Sequence, residues 1–453
     1  MSTPESAAGP PRRLGYAPPQ APSPPQGLFS TFFLGGFEGS TFIWKNRRRR
    51  DYIVRTAHDR HLEADYERVQ SLGMGVVREV IRWPIVDRGG GYYNWSTVDP
   101  VVAALNRYHL TPIWDLCHYG FPDDCNPLEE SCLERFVDYC RAVAEHVAPR
   151  VHRPHFFTPV NEINFLSGAA TDMGWVYPFA KGKYHEMKLA LCRMSIEGAK
   201  AIREVLPEAR MVHVDPIIHE VAPADHPELA DLAWRHEHVE AFEAWDIVAG
   251  RLVPELGGSP EIADVIGVNM YNFCQAQVNA DGSRTVLGPR DPRRKTLGEM
   301  LLMVWERYRR PVIIGETSGY QDERPNWLRM VMEESLRALN SGVDLQGVCL
   351  YPVVDIEDWN TGEWAKIGIY DILNRETFER QAHEPYVAEL RRWQQILGHP
   401  EEVSTHDLRT KRLGTVDLQA VKRYAREWDE RTPGPQTVQP HTDQPGSDQP
   451  QAA

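Results

Sequence analysis

Two glutamates stand at the ends of apolar runs that are typical of buried β-strands. Glu162 follows the run at positions 155–160, and Glu316 follows the run at 312–314. If both runs belong to one barrel, their ends can face each other across its mouth. Two facing carboxylates suit glycoside hydrolysis, in which one protonates the leaving oxygen and the other attacks or stabilises the anomeric carbon. The alternative is two helix-capping acids on unrelated loops.

Facing carboxylates do not titrate independently. Each negative charge raises the pKa of its neighbour, so that one member of the pair stays protonated near neutral pH. We expect Arg82, near the end of the strand-like run 76–83, to reach Glu316 and to keep it ionised as the nucleophile. Glu162 has no evident cation beside it and would then be the proton donor.

Further polar side chains end other strand-like runs. In a closed barrel of parallel strands, the chemistry comes from the carboxyl ends of the strands. Each of these side chains could simply cap a helix, but their convergence on one face indicates a single site. The candidates around the two glutamates are Arg82, His118, Asn161, Tyr271, Asp358 and Trp359.

Eight strand-like runs mostly alternate with helical patterns, and this alternation predicts a parallel sheet. Eight such units indicate an α/β fold of the (β/α)8, or TIM barrel, type. A doubly wound open sheet is the competing architecture, but no glycine-rich dinucleotide fingerprint follows any of the runs. The predicted strands are 28–34, 76–83, 110–116, 155–160, 211–214, 265–270, 312–314 and 347–351.

Composition sets the limits of the folded part. Positions 1–26 hold eight of the 35 prolines and 431–453 hold five more, so neither end can bury enough apolar surface to fold. We predict a single-domain barrel over 28–400 and a C-terminal helical extension over 401–430. Disordered tails at 1–27 and 431–453 complete the prediction.

The charge pattern and the termini argue against several classes of protein. A net charge of −14 disfavours nucleic-acid binding, since phosphate contacts need a basic surface. The basic run at 45–50 is short and precedes an aspartate, so a solvated loop explains it better than a phosphate site. No apolar run approaches a membrane span and no secretory signal opens the chain, so we predict a cytoplasmic protein.

Cysteine usage agrees with a reducing compartment. The seven cysteines are too sparse for a disulfide framework, and the four between 117 and 140 lack the C-x2-C spacing of a zinc site. We expect no metal site, and we expect Cys132 and Cys140 to pack as small apolar groups.

Local motifs resemble those of glycoside hydrolase family 1 and the wider clan A of retaining β-glycosidases. The resemblance extends from about position 32 to 371 and keeps its order along the predicted barrel. The matching segments are FLGGFEG at 33–39, IRWP at 81–84, GYYNW at 91–95, TPIW at 111–114, LCHYGFP at 116–122, TPVNE at 158–162, IGVNMY at 266–271, PVIIGE at 311–316 and YPVVDIEDW at 351–359.

The resemblance implies a role for each candidate residue. Glu162 would be the general acid and then the general base, and Glu316 the nucleophile that forms a glycosyl-enzyme. Asn161 would hold the sugar hydroxyl beside the anomeric carbon. Arg82 and Tyr271 would position Glu316, and His118 and Trp359 would line the sugar pocket. The implied enzyme takes a small carbohydrate substrate and needs no cofactor or metal; the oligomeric state stays open.

The chain departs from the family where the sugar is recognised. An ungapped match places Phe42 where the family has a sugar-binding glutamine, and Glu38 is the nearest polar substitute. Tyr351 replaces a tryptophan, and Asp358 replaces a longer glutamate. We therefore expect a sugar preference unlike that of ordinary β-glucosidases. Two alternatives stay open, a carbohydrate-binding barrel without catalysis and a barrel that only carries functional tails.

Overall fold

The computed structural model describes residues 27–151, 154–398, 416 and 418–431. The predicted tails and positions 401–415 of the predicted extension lie outside these residues, apart from Gly27 and Arg431. Within the described ranges, no helix is long and apolar enough to cross a lipid bilayer.

Eight parallel strands close into a barrel, as the sequence predicts. Around the barrel the order is β1, β8, β7, β6, β5, β4, β3 and β2, with β2 returning to pair with β1. The strands are β1 (Phe33–Gly36), β2 (Val76–Val80), β3 (Thr111–Cys117), β4 (Phe156–Val160), β5 (Arg210–Pro216), β6 (Val265–Asn269), β7 (Val312–Thr317) and β8 (Leu345–Leu350).

Helices surround the barrel and cover its outer face. Their apolar stripes pack on the strands, which is why the strand residues are buried except for Val80, Arg210 and Pro216, which are partly buried. Within the described residues the α-helices are α1 (Tyr52–Arg55), α2 (His58–Ser71), α3 (Trp83–Val86), α4 (Asp99–Tyr108), α5 (Glu130–Val147), α6 (Ile163–Ala170), α7 (Tyr184–Val205), α8 (Ala230–His238), α9 (Glu243–Val248), α10 (Leu297–Tyr308), α11 (Arg324–Asn340), α12 (Glu384–Gly398) and α13 (Leu418–Arg431).

Within the described residues, the loops also contain small sheets, two of which are antiparallel ladders. Ile356–Glu357 pairs with Trp364–Ala365, and Tyr370–Ile372 pairs with Arg380–Ala382. In a third small sheet His219–Val221, Gln275–Val278 and Arg284–Val286 are neighbours. The first of these ladders shapes the long loop after β8, in which the candidates Asp358 and Trp359 lie.

The barrel interior is filled by side chains from many strands. Leu34, Ile113 and Ile313 belong to this inner cluster, and Tyr351 closes it towards the carboxyl ends of the strands. Gly36 allows this packing, because a Cβ atom there would lie 2.2 Å from the Tyr351 ring. The interior is thus a packed core, and chemistry is confined to the mouth.

Strand β2 is shorter than the sequence pattern predicts. It ends at Val80, and the chain passes through Arg82 directly into helix α3, whose second residue is Pro84. Proline fits the first turn of a helix, where no intrahelical N–H bond is needed. Arg82 therefore lies on a turn outside the barrel, not at the end of a strand.

The cysteine prediction is wrong for one pair. Cys125 and Cys132 form a disulfide across the turn between β3 and α5, with a Cα–Cα distance of 5.2 Å. Cys132 is therefore not a free apolar thiol, whereas Cys140 is free and buried as expected. The short spacing gave no sign of the pair because the folded loop, and not the sequence separation, brings the two Cβ atoms together.

Candidate active site

Glu162 lies at the junction of β4 and α6. Its backbone is left-handed, with φ at 49°, and the residue precedes the first turn of the helix. The side chain is buried and both carboxylate oxygens have partners. Oε1 accepts a hydrogen bond of 2.7 Å from Asn269 Nδ2, and Oε2 accepts one from the hydroxyl of Tyr119. The partners of Glu162 are thus a neutral amide and a neutral phenol.

Glu316 lies within β7, next to the last residue of the strand. Arg78 Nη1 donates to its Oε1 at 2.8 Å, and the hydroxyl of Tyr271 donates to its Oε2 at 3.0 Å. The contact with Tyr271 is the one that the sequence led us to expect. Glu316 thus has a charged partner, which the acid on β4 lacks.

The expected contact of Arg82 with Glu316 is wrong. Arg82 Nη1 pairs with Asp51 Oδ2 at 2.6 Å, because the chain has already left β2 where Arg82 occurs. Arg78, in the middle of that strand, points into the barrel instead. A sequence signal was available, since a charge within the apolar run 76–80 is buried and must be paired.

The Arg78 guanidinium connects four groups of the site. Besides Glu316 it contacts the Gly315 carbonyl at 3.0 Å, Asp115 Oδ2 at 2.6 Å and Asn161 Oδ1 at 2.9 Å. All three side chains that it joins are buried. The cation therefore links the nucleophile candidate on β7 to the amide that precedes the acid candidate on β4.

The pKa values of both glutamates are raised. Burial and the negative charge of Glu162 raise the pKa of Glu316 to about 7, against the opposing effect of Arg78. Burial raises the pKa of Glu162, against the effect of its two hydrogen-bond donors. The pair therefore takes up one proton in the neutral range. Because Arg78 donates directly to Glu316, the proton is held better by Glu162.

Asn161 has protein partners on both ends of its amide. Its Nδ2 donates to His118 Nε2 at 3.1 Å and to the hydroxyl oxygen of Tyr119 at 3.0 Å, while Oδ1 accepts from Arg78. Since His118 Nε2 accepts, the ring proton is on Nδ1, which contacts Asp115 Oδ2 at 3.1 Å. His118 and Asn161 thus have fixed orientations.

Glu38 lies beside this network. Its Oε1 accepts from the backbone N–H of Ser40 at 2.9 Å and lies 3.9 Å from His118 Nε2, and its Oε2 is 3.3 Å from the hydroxyl of Tyr351. The carboxylate of Glu38 therefore lies next to the imidazole of His118. The hydroxyl of Tyr351 donates to this Oε2.

The two candidates on the loop after β8 differ in their surroundings. The Trp359 indole is partly exposed and packs at 4.4 Å on Phe42 and at 5.7 Å on Tyr119, measured between ring centroids. Asp358 Oδ1 instead accepts from the backbone N–H and the hydroxyl of Thr361, at 2.8 and 3.0 Å. One carboxylate oxygen of Asp358 is therefore already hydrogen-bonded within the turn at Thr361.

The structure brings most of the sequence candidates together at the mouth and adds four residues that they lacked. Arg78 and Asp115 were hidden because they lie inside strands, and Asn269 and Tyr119 occurred in quoted motifs without a role. In the described residues, no cluster of His, Cys, Asp or Glu could hold a metal ion.

Comparison with known proteins gives a consistent picture of the fold. No protein-family model matches the chain. Aryl-phospho-beta-D-glucosidase BglC of Bacillus subtilis is 21% identical over 395 residues, covering 70% of this chain and 82% of that protein. The human cytosolic beta-glucosidase is 22% identical over 385 residues, covering 68% and 81%.

Solved structures include a family 1 β-glucosidase from Thermotoga maritima, with a TM-score of 0.64 and 17% identity. The match covers 81% of this chain and 98% of that one. The same Thermotoga enzyme is known in complexes with castanospermine and deoxynojirimycin. The barrel fold and the resemblance to family 1, both expected from the sequence, are confirmed.

Proposed function

We propose that this protein is a retaining β-glycosidase in which Glu316 is the nucleophile and Glu162 the acid and base. The observation that carries the proposal is the unequal surroundings of two buried carboxyl groups at one barrel mouth. Glu316 accepts from the cationic Arg78, whereas Glu162 accepts only from neutral donors. Such a pair separates into one ionised and one protonated member at neutral pH.

The first half of the reaction forms a covalent intermediate. A carboxylate oxygen of Glu316 attacks the anomeric carbon as the bond to the leaving oxygen breaks, and Glu162 gives its proton to that oxygen. Arg78 and Tyr271 hold the nucleophile in place from two sides. The products are a glycosyl ester of Glu316, an ionised Glu162 and the free alcohol or phenol.

The second half of the reaction reverses these roles. Once Glu316 is an ester, it no longer carries the charge that raises its neighbour's pKa, so Glu162 stays ionised. Glu162 takes a proton from water, whose oxygen attacks the anomeric carbon and releases Glu316. The sugar leaves with the anomeric configuration of the substrate.

The proposed sugar contacts come from the network around the pair. We assign the hydroxyl groups of the sugar to Asn161, His118 and Glu38, and its apolar face to Trp359. Relatives whose names refer to β-glucosidase activity, and a neighbour that binds small sugar-like inhibitors, support a small carbohydrate substrate.

We further propose an altered sugar preference. Phe42 is fully buried beneath Trp359, so it offers no amide to the sugar, and the turn at Thr361 already uses one oxygen of Asp358. A site with fewer hydrogen-bond partners for a hydroxyl selects against sugars that present it. Glucosides should therefore be poor substrates, and a phosphorylated glucoside belongs in the test panel because of the relative named above.

We also propose a cytoplasmic location. The name of the human relative and the five free, buried cysteines both support it. Alkylation of the protein in intact cells, followed by mass spectrometry, would report the redox state of Cys125 and Cys132 in that compartment.

A mechanism-based label tests the proposal. Aryl 2-deoxy-2-fluoro β-glycosides of gluco, galacto and phosphogluco configuration should add one glycosyl group to Glu316, detected by intact mass and peptide mapping. The Glu316→Gln variant should remain unlabelled, while Glu306→Gln, at an exposed position, should be labelled like the parent. Sugar binding in calorimetry without any adduct would favour the carbohydrate-binding barrel.

A further inference from the structure

The phenol of Tyr119 lies between two side chains that the proposed mechanism needs. Its hydroxyl donates to Glu162 Oε2, and its oxygen accepts from Asn161 Nδ2 at 3.0 Å. The residue is 5% exposed, so its hydroxyl is largely withdrawn from competing water. One phenol thus bridges the acid and base candidate and the neighbouring amide.

The chain holds Tyr119 in place at some cost. Its φ of 64° is left-handed, a conformation that residues other than glycine rarely adopt. The ring packs edge-on against His118, Phe165 and Trp359, at centroid distances of 4.7, 5.4 and 5.7 Å. Strained residues persist only where their surroundings enforce them, and they cluster at functional sites.

The hydrogen bonds fix the direction of the phenolic proton. An amide Nδ2 can only donate, and the two hydrogens of Asn161 go to His118 Nε2 and to the Tyr119 oxygen. The single proton of Tyr119 is therefore left for Glu162 Oε2. Because Asn269 donates to the other oxygen, both oxygens of Glu162 face donors, which stabilise the carboxylate form that the second half of the reaction needs.

We propose that Tyr119 is a positioning residue that holds Oε2 of Glu162 and keeps its carboxylate form available for activating water. The inference rests on the role proposed for Glu162. Without the phenol, Glu162 would keep one neutral donor in a buried site next to Glu316, and the glycosyl-enzyme would more often carry it protonated. Hydrolysis of that intermediate would then slow at and below neutral pH.

A direct titration tests this without relying on activity. The protein is prepared with glutamate that carries 13C at the side-chain carboxyl carbon, and the pKa of Glu162 is measured by NMR. The signal of Glu162 is assigned by its absence in Glu162→Gln. We expect Tyr119→Phe to raise this pKa by about one unit, since a hydrogen bond to a charged group is among the stronger kinds. Tyr92→Phe, at an exposed position, should leave it unchanged.

A second substitution keeps the test decisive if Tyr119→Phe does not fold. Incorporation of 3,5-difluorotyrosine at 119 preserves the ring and makes the hydroxyl a stronger donor, so the pKa of Glu162 should fall. A pKa that does not respond to either replacement, or that moves in the opposite direction, overturns the proposal.

Kinetics provide the remaining readout. With a dinitrophenyl glycoside, whose leaving group needs no proton, kcat reports hydrolysis of the glycosyl-enzyme. In Tyr119→Phe, the acid limb of the pH profile of kcat should move to higher pH by about one unit. The variant's kcat should therefore be roughly tenfold lower than that of the parent at low pH and equal to it at high pH. If the parent protein cleaves no glycoside, the proposed function fails while the NMR titration still decides the role of Tyr119. An unchanged acid limb in an active variant contradicts that role.

Discussion

Arg78 connects Glu316, Asp115 and Asn161 through one buried guanidinium. Removing it would leave two carboxylates buried without their cation, and breaking a buried ion pair costs about 3–5 kcal/mol of folding free energy. We expect Arg78→Met to lower the free energy of unfolding by this amount, measured in urea. Arg78→Lys, which keeps the charge but loses the forked geometry, should fold and lose about 100-fold or more in kcat/KM.

The matched control is Arg82→Met. Arg82 pairs with Asp51 outside the proposed site, and their side chains are only 8% and 19% exposed. Breaking this largely buried pair also costs folding free energy, so kcat/KM is the quantity that separates the two arginines. Equal effects of the two methionine substitutions on kcat/KM would contradict the assignment of Arg78 to the site.

The coupled glutamates make activity depend on pH with a defined sign. The active pair carries one proton, and the coupling that raises the pKa of Glu316 to about 7 and also raises the pKa of Glu162 places the loss of the pair's last proton near neutral pH. Above this pH both groups are ionised and no acid remains. We expect kcat/KM for a poor leaving group to fall about tenfold per pH unit on the alkaline side.

A substrate with a good leaving group serves as the control for this profile. A dinitrophenyl glycoside does not need a proton from Glu162, so its alkaline limb should be much weaker. A poor leaving group whose kcat/KM stays constant up to pH 9 would show that the acid is some other group.

Helix α6 and strand β5 jointly determine where Glu162 points. Asp215, the residue before the last in β5, accepts the backbone N–H of Asn164 with both carboxylate oxygens, at 3.2 and 3.0 Å. It thereby satisfies a free donor in the first turn of α6. We expect Asp215→Ala to destabilise the fold by about 1 kcal/mol, as the loss of a helix cap does.

The same substitution should reduce kcat by about tenfold or more, because a carboxylate displaced by a fraction of an ångström loses its alignment with the reacting bond. Thr296→Ala removes the cap of α10, the helix between β6 and β7, and should cost similar stability without changing kcat. If both variants retain full kcat, α6 does not depend on its cap to orient Glu162.

The elements explain which parts of the fold were predictable. The barrel strands are mostly apolar because both faces of a parallel sheet are covered, and such runs are visible in the sequence. The end of β2 was not visible, since Arg82 and Trp83 continue the apparent run while Pro84 starts a helix. That error alone assigned the wrong arginine to Glu316. The disulfide at Cys125 depends on a loop shape that no local pattern encodes.

The site was also predictable only in part. Glu162, Glu316 and Tyr271 end strands, so their meeting at one mouth follows from topology alone. Side-chain partnerships such as Tyr119 with Glu162 depend on a left-handed residue and on ring packing, and neither can be read from spacing. Sequence thus indicates which groups converge, whereas coordinates are needed to say which of them touch.

The boundaries of the whole molecule can be tested by truncation. Helix α13 packs on the barrel assembly: Val421 is fully buried, the Asn340 side chain donates to the Ala425 carbonyl at 2.7 Å, and the Phe32 N–H donates to the Val416 carbonyl at 2.9 Å. Val416 and the residues from Leu418 to Ala425 are therefore part of the folded unit. Through these contacts, this part of the predicted extension packs against the barrel.

We expect that removal of positions 1–26 and 432–453 leaves kcat/KM within about twofold of the parent and the melting temperature within about two degrees. The reason is that the proposed site lies wholly within the described residues. A chain ended after 398 should instead lose roughly 3–5 kcal/mol of stability, since the side chains of Leu418 and Val421 and the surfaces they cover would become exposed. The measurement is urea unfolding of both truncations beside the parent, with kcat/KM determined on the same samples. A stable chain without α13 would place the domain boundary at 400, as the sequence suggested. Loss of activity on removing only the outer tails would favour the remaining alternative, in which those tails take part in the function.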